Sequence, residues 1–369
     1  MDNDFEVIRK AVTGQDPGQV PLYEHFVDDE IIQEIMGCDF SEMRSESCAT
    51  ITTFRVGLVP EAALEDNVAL WKHRLTFYRQ MGYRYLPVEF PPVFPQTSKI
   101  KAKDTAQHGR GDREWINEHD GVIKTVEDLE NPDYWPDLDK MFDYRLFDRI
   151  TRILPEGMKI VGGFAGGPME HALYLMGFEQ FCLALHENQE LLNKLFEKLR
   201  TIFVSIARRL SQFDALGIMR IGDDLGYKNG TIISPQALRK YIFPIYKDLV
   251  DISHQAGRPF ILHSCGNLKT VMEDLIEDCR FDAKHSFEDV IMPVTEVKKR
   301  WGDRIALLGG IDVDFLCRRS EREIQETTRR VMEVCSQGGG YAIGSGNSIP
   351  NYMPVKNYLA MLDAAREFS

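Results

Sequence analysis

The 369-residue chain is short of basic charge: 44 lysines and arginines against 57 aspartates and glutamates give a formal net charge of −13. Nucleic acids and anionic membranes are gripped through a basic footprint, so neither suits this chain as a partner. A neutral or cationic small substrate, or a basic patch on another protein, fits the charge better. Long apolar runs are also missing. No stretch of about 18 consecutive apolar residues occurs, the minimum for a helix that spans a bilayer. The acidic start Met1-Asp2-Asn3-Asp4-Phe5-Glu6 lacks the basic and apolar segments of a secretory signal. Close cysteine pairs are absent. Cys38, Cys48, Cys182, Cys265, Cys279, Cys317 and Cys335 are odd in number and scattered, a pattern of free thiols in a reducing cytoplasm. Internal repeats and low-complexity tracts are absent too.

What remains is an ordinary globular balance, with 43% apolar and 27% charged residues, long enough to bury a sizeable core. From residue 83 onward, apolar strand-like runs alternate with helical periods. Strands are expected at 83–90, 159–164, 217–221, 259–267, 281–287, 305–308 and 341–343. Ser234-Pro235 reads as an N-cap with a first-turn proline opening a long helix to about Gln255, and Ser320 with Glu323 as a capping box. Strands alternating with helices imply a parallel sheet. Seven of them over this length favour an α/β fold of the closed (β/α)8 TIM-barrel type over an open doubly wound sheet. The eighth strand falls in the 91–150 region or is distorted. Residues 1–82 read as an N-terminal helical extension with a short extended piece at Thr50–Val56. Residues 83–369 read as one structural unit. Residues 91–140, rich in proline and glycine, form an irregular insertion suited to a lid over the barrel mouth.

In such barrels the active site is built at the carboxyl ends of the strands. Those ends carry Glu89, Phe164 with its glycines, Asp223 and Asp224, His263 and Cys265, His285 and Glu288, Asp312, and Ser345 with Asn347. His263 and Cys265, two apart at the end of the Pro259–Asn267 stretch, face the same way. An imidazole and a thiolate side by side are two of the ligands that zinc accepts. The alternative is a packed core histidine and a buried inert cysteine. Asp223 and Asp224 could cap a loop, Asp312 could cap a turn, and His285 with Glu288 could be a surface pair. Gly344-Ser345-Gly346-Asn347 could cradle a phosphate, although no lysine or arginine stands beside it.

Laid out in this way, the chain resembles the uroporphyrinogen decarboxylase superfamily from about Val20 to its end. The likeness rests on Val20-Pro21-Leu22-Tyr23-Glu24, Gly166-Gly167-Pro168, Asp223-Asp224-Leu225-Gly226, Ile232-Ile233-Ser234-Pro235, Leu262-His263-Ser264-Cys265-Gly266-Asn267, Gly309-Gly310-Ile311-Asp312 and Gly338-Gly339-Gly340-Tyr341. The superfamily holds metal-free decarboxylases and zinc methyltransferases that exchange methyl groups with a corrinoid protein. The decarboxylases grip an acidic tetrapyrrole with an arginine-rich N-terminal segment, whereas Tyr23–Glu30 here contains no arginine. The resemblance therefore implies the methyltransferase branch, whose zinc motif is His-x-Cys plus a cysteine in a late loop. His263 and Cys265 match the first two ligands. The late-loop position falls at or near Ser345 and is not cysteine, leaving Glu288, His285 or Asp224 to complete the site. Lys284-His285-Ser286-Phe287-Glu288-Asp289 looks like the pattern of phenyl methyl ether demethylases.

The function so implied is transfer of a methyl group from a small O-methyl or N-methyl substrate to the cobalt of a separate corrinoid protein. The expected residues are His263 and Cys265 for zinc, Asp223, Asp224, His285 and Glu288 for catalysis, and Glu89, Phe164, Ser345 and Asn347 for substrate. The alternatives are transfer from a methyl-corrinoid to a thiol such as coenzyme M, and a metal-free decarboxylase with Asp223 or Asp224 as proton relay.

Overall fold

The computed structural model describes residues 4–38, 58–92, 94, 99–103, 112–116 and 119–368. The extended piece expected at Thr50–Val56 lies outside them. The barrel strands are β1 (Tyr85–Phe90), β4 (Lys159–Phe164), β5 (Leu216–Gly222), β8 (Phe260–His263), β9 (Ala283–His285), β10 (Ala306–Leu308) and β11 (Tyr341–Ala342). Between them come two antiparallel pairs, β2 (Lys99–Lys103) with β3 (Asp112–Ile116) and β6 (Gly226–Tyr227) with β7 (Gly230–Thr231). The seven barrel strands lie side by side in the order β1-β4-β5-β8-β9-β10-β11, every neighbouring pair parallel. All seven expected strands are therefore present, and the fold is an α/β barrel of the TIM type.

The eighth stave lies elsewhere than expected. The described part of 91–150 adds no strand to the barrel sheet. Residues 21–28 run parallel to the last strand instead, through the bridges Leu22 to Ile343 and Val27 to Ile349. Tyr23 N–H donates to the Ile343 carbonyl (2.7 Å), and Ile343 N–H to the Pro21 carbonyl (2.9 Å). On the other side the link to β1 runs through a side chain: the Tyr85 hydroxyl meets both N–H and C=O of Glu24 at 2.8 Å. Proline at 21 and the charged residues Glu24, Asp28, Asp29 and Glu30 hide this segment from any strand pattern.

Helices cover the outside for a plain reason. The helix Gln189–Leu210 buries Leu192, Leu195, Phe196, Leu199, Ile202, Phe203, Ile206 and Leu210 on one face. At about 1.5–3 kcal/mol per large apolar side chain, that burial far outweighs intrinsic helix propensity. The expected capping box of Ser320 and Glu323 is formed. Ser234 caps as expected, but the helix after it is interrupted by a π turn at Leu238–Ile242. Pro244 lacks the N–H that would continue the i→i−4 ladder, and the wider turn absorbs the loss. The helix Asp4–Val12 packs at the amino ends of the strands, where Phe5 lies so close to Gly217 that a Cβ there would stand 2.2 Å from its ring. The carboxyl ends are left for the site. Among the described residues no helix is long and apolar enough to cross a membrane.

Candidate active site

Parallel pairing sets the centre of the site. His263 and His285 are in register as the last residues of β8 and β9, so their rings project side by side, and the Nδ1 atoms are 2.8 Å apart. Both rings are buried, His285 completely. Two residues beyond His263, Cys265 presents its Sγ 3.7 Å from His263 Nε2. Ser286 Oγ lies 3.5 Å from that sulfur, and the Asn347 amide donates to it at 3.2 Å. Ser286 has a φ of 114°, an uncommon conformation for a residue other than glycine and one that gathers at functional sites. Two carboxylates pin the loop: Asp224 accepts from Cys265 N–H (2.8 Å) and Glu288 from Gly266 N–H (3.0 Å).

Two sets of three side chains bring one ligand atom each within 4.8 Å of the others: Asp224, His263 and Cys265, and the buried trio His25, His263 and His285. The rings of His25 and His263 stack 3.9 Å apart at 14°. Nearly parallel stacked rings keep their in-plane lone pairs in separate parallel planes, so the trio could share an ion only after a ring turns. The first set needs no such change, and carboxylate, imidazole and thiolate are donors that zinc accepts. His25 Nδ1 is buried without a hydrogen-bond partner, and its Nε2 faces Glu89 Oε2 at 3.7 Å.

Burial dominates the electrostatics. It lowers His263 to about 4 and holds His25 and His285 well below the usual imidazole range, so all three rings are uncharged at neutral pH. Burial, with Asp224 close by, pushes the Cys265 thiol well up, so a cation is needed to make it a thiolate. Two buried cations act on the histidines, Arg220 and Lys284. Lys284 donates to the carbonyls of Ser264 (3.3 Å) and Ser286 (2.6 Å), and among the described residues it forms no carboxylate ion pair. Burial lowers it to about 8. Burial and the charges of Asp224 and Asp223 raise Glu170 well above the usual carboxylate range.

The other expected residues have clear surroundings. Asp223 accepts from Met169 N–H (3.0 Å), Glu170 N–H (3.0 Å) and the Tyr246 hydroxyl (2.7 Å). It thereby caps the helix Pro168–Met176, whose own N-cap, Gly167, has no side chain to do so. Glu89 forms an ion pair with Arg220 inside the barrel, both fully buried. Phe164 is buried against Phe203. Ser345 gives its N–H and hydroxyl to the carboxyl of Glu24 (2.7 and 2.6 Å), so its side chain turns to Glu24 and Asn347 is the late-loop group on the sulfur. Asp312 caps a helix through Asp314 and Phe315 N–H. Sequence reasoning passed over His25, Glu24, Glu170 and Lys284. For the first two the signal was the Val20–Glu24 motif, which marked the segment without showing that it enters the barrel wall.

A cleft of about 410 Å³ is lined by Phe287, Glu288, Val290, Phe315, Arg319 and Asn347 among others, the last of which donates to the sulfur. A family model described as uroporphyrinogen decarboxylase (URO-D) matches residues 118–368. Among curated proteins, a uroporphyrinogen decarboxylase of Mannheimia succiniciproducens is 24% identical over 253 residues, 66% of this chain and 68% of that protein. A methylcobamide:CoM methyltransferase, MtbA, of Methanosarcina acetivorans is 22% identical over 266 residues, 67% of this chain and 70% of that protein. The solved structure of a methyltransferase from Methanosarcina mazei superposes with a TM-score of 0.68 at 15% identity, covering 98% of both chains. It shares the fold.

Proposed function

Because the chain belongs to the uroporphyrinogen decarboxylase (URO-D) family, we propose, from its site, that it is a corrinoid-linked methyltransferase, moving a methyl group from a small O-methyl or N-methyl substrate to the cobalt of a separate corrinoid protein. The observation that carries this reading is the meeting of Asp224, His263 and Cys265 at the strand ends, in a chain whose relatives include a methylcobamide:CoM methyltransferase. As the methyl carbon passes to the corrinoid, the methyl–oxygen electron pair stays on the leaving oxygen, a poor leaving group unless a Lewis acid or a proton meets it. Zinc, when bound by Asp224, His263 and Cys265, supplies that Lewis acidity.

The chain's own residues do the rest. Asn347 donates to the Cys265 sulfur and steadies its charge. Lys284 adds a buried positive charge beside an otherwise anionic loop. Glu288 lines the cleft and is the carboxyl group assigned to the leaving oxygen. Phe287 and Phe315 give the cleft apolar walls suited to an aryl methyl ether. Asp223, Glu89, Phe164 and Ser345, each held by protein partners, are assigned the shaping of the site.

A second reading, transfer from a methyl-corrinoid to a thiol, is favoured by the name of the Methanosarcina acetivorans relative. Decarboxylation of an acidic macrocycle is disfavoured by the charge of −13 and by Arg220 being neutralised by Glu89. The test is to mix the protein with a reduced corrinoid protein and methoxybenzene-type substrates, following the corrinoid spectrum. Chelator-sensitive methylation of the cobalt is expected. Methylation of a thiol alone would establish the second reading, and chelator-resistant CO₂ release without any corrinoid would overturn both.

A further inference from the structure

We propose that His285 is a positioning residue: hydrogen-bonded between the Ser345 carbonyl and His263, it fixes His263 in the tautomer whose Nε2 lone pair faces Cys265, so that this nitrogen and the sulfur take the same metal ion. The inference rests on the metal-site reading above and adds the group that aims its imidazole.

A backbone carbonyl can only accept, and His285 Nε2 lies 3.3 Å from the Ser345 oxygen, so His285 carries its hydrogen on Nε2. The ring is fully buried beside His263, an environment that disfavours a charged imidazolium. An uncharged imidazole protonated on Nε2 offers only a lone pair at Nδ1. His263 Nδ1 stands 2.8 Å from that lone pair and must therefore carry the hydrogen of this bond. His263 Nε2 is left bare, 3.7 Å from Cys265 Sγ. In the other tautomer two lone pairs would face each other at the buried Nδ1 contact, and a hydrogen would point at the sulfur.

The far end of this relay is itself anchored. The N–H and hydroxyl of Ser345 are both held by the Glu24 carboxyl, at 2.7 and 2.6 Å, which fixes the carbonyl that His285 uses. Gly309 leaves the space: a Cβ there would stand 2.1 Å from the Ser345 oxygen and 3.0 Å from His285 Nε2, and its φ of +82° favours glycine in any case. Metal-bound histidines are commonly oriented in this way by a hydrogen bond to the other ring nitrogen. Here the bond comes from a second imidazole and not from a carboxylate. The fully buried Ser345 thus contributes its carbonyl, not its side chain, to the site.

Two measurements test the proposal. Long-range ¹H–¹⁵N spectra of the metal-free protein, labelled in histidine, read each tautomer; His263 is expected with its hydrogen on Nδ1 and His285 with its hydrogen on Nε2. Zinc affinity, measured by competition with a chromophoric chelator, is expected to fall about 10–100-fold in His285→Phe and to recover largely in His285→Gln, whose amide oxygen can accept from His263 Nδ1. Thermal melts identify a variant that has lost its fold, in which case His285→Gln and the wild-type spectrum still decide. An Nε2–H tautomer at His263, or zinc affinity in folded His285→Phe within about twofold of wild type, would overturn the relay. If the wild type binds no zinc while the tautomers are as expected, it is the metal reading that falls, and the proposed purpose of the relay with it.

Discussion

The ion pair of Glu89 and Arg220 inside the barrel makes a sharp prediction about two residues of opposite charge. Arg220 and Glu89 are fully buried and stand level on β5 and β1 with Gly163 between them, so no side chain separates them. Arg220 also donates to the Tyr23 hydroxyl at 3.1 Å and lies 4.9 Å from the Phe26 ring. Removing one partner of a buried pair typically costs about 3–5 kcal/mol, because the other charge is left without compensation. The two halves are not equivalent. Arginine cannot shed its proton, so Glu89→Gln strands a full charge and is expected to lose about 3–5 kcal/mol at pH 8. Glu89 can take a proton. Burial pushes its pKa up while Arg220 pulls it down. A carboxyl raised on folding contributes stability that is complete below its unfolded pKa and is lost as pH rises through the folded one. Arg220→Met removes the downward pull, so that loss runs on to higher pH. The variant is therefore expected to be less damaged than Glu89→Gln at pH 6 and to lose ground steadily by pH 8. Glu89→Leu with Arg220→Met should restore part of the loss, since apolar replacement of a buried pair is often neutral. Urea unfolding at pH 6 and pH 8, followed by two probes, measures all of this. If Glu89→Gln unfolds within about 1 kcal/mol of wild type while the KM for the methyl donor rises, Glu89 is a substrate group and the structural reasoning fails.

Asp223→Ala leaves three donors without their acceptor and is expected to cost about 3 kcal/mol while sparing turnover in the folded fraction; a large loss of turnover with an unchanged melt would instead make Asp223 catalytic. Asn347→Cys places a second sulfur next to Cys265 and is expected to tighten zinc at least about tenfold, whereas Ser345→Cys, directed at Glu24, is not; the chelator competition assay separates them, and the reverse order would contradict the late-loop geometry. Lys284→Met removes the buried cation near the site and is expected to raise the Cys265 thiol further and to weaken zinc binding, as read by thiol alkylation against pH and by chelator competition; unchanged values in both would exclude a charge-balancing role.

The barrel was legible because its strands are short apolar runs spaced by amphipathic helices, a pattern that burial on both faces imposes on a parallel sheet. The stave at residues 21–28 was not, because its bonding toward β1 is side chain to backbone, from Tyr85 to Glu24, and such bonds leave no periodicity. In the same way His263 and Cys265 announced themselves by spacing, while the roles of the residues around them depended on direction. Ser345 and Asn347 are two apart in the same loop, yet one turns to Glu24 and the other to the sulfur. Asp223 and Asp224 are adjacent, yet one caps a helix and the other holds the Cys265 loop. No sequence pattern distinguishes such pairs, because the distinction arises only when separate strands meet. His25 shows the limit most plainly: its neighbours His263 and His285 are more than two hundred residues away in the chain.

The most direct measurement is zinc content after loading and dialysis in wild type, Asp224→Ala, His263→Ala and Cys265→Ala, each checked for an intact fold. A single equivalent in the wild type, lost or sharply reduced in all three variants, is the expected result. An equal amount of zinc in all four proteins, or none in the wild type, would contradict a metal centre made of this carboxylate, imidazole and thiolate.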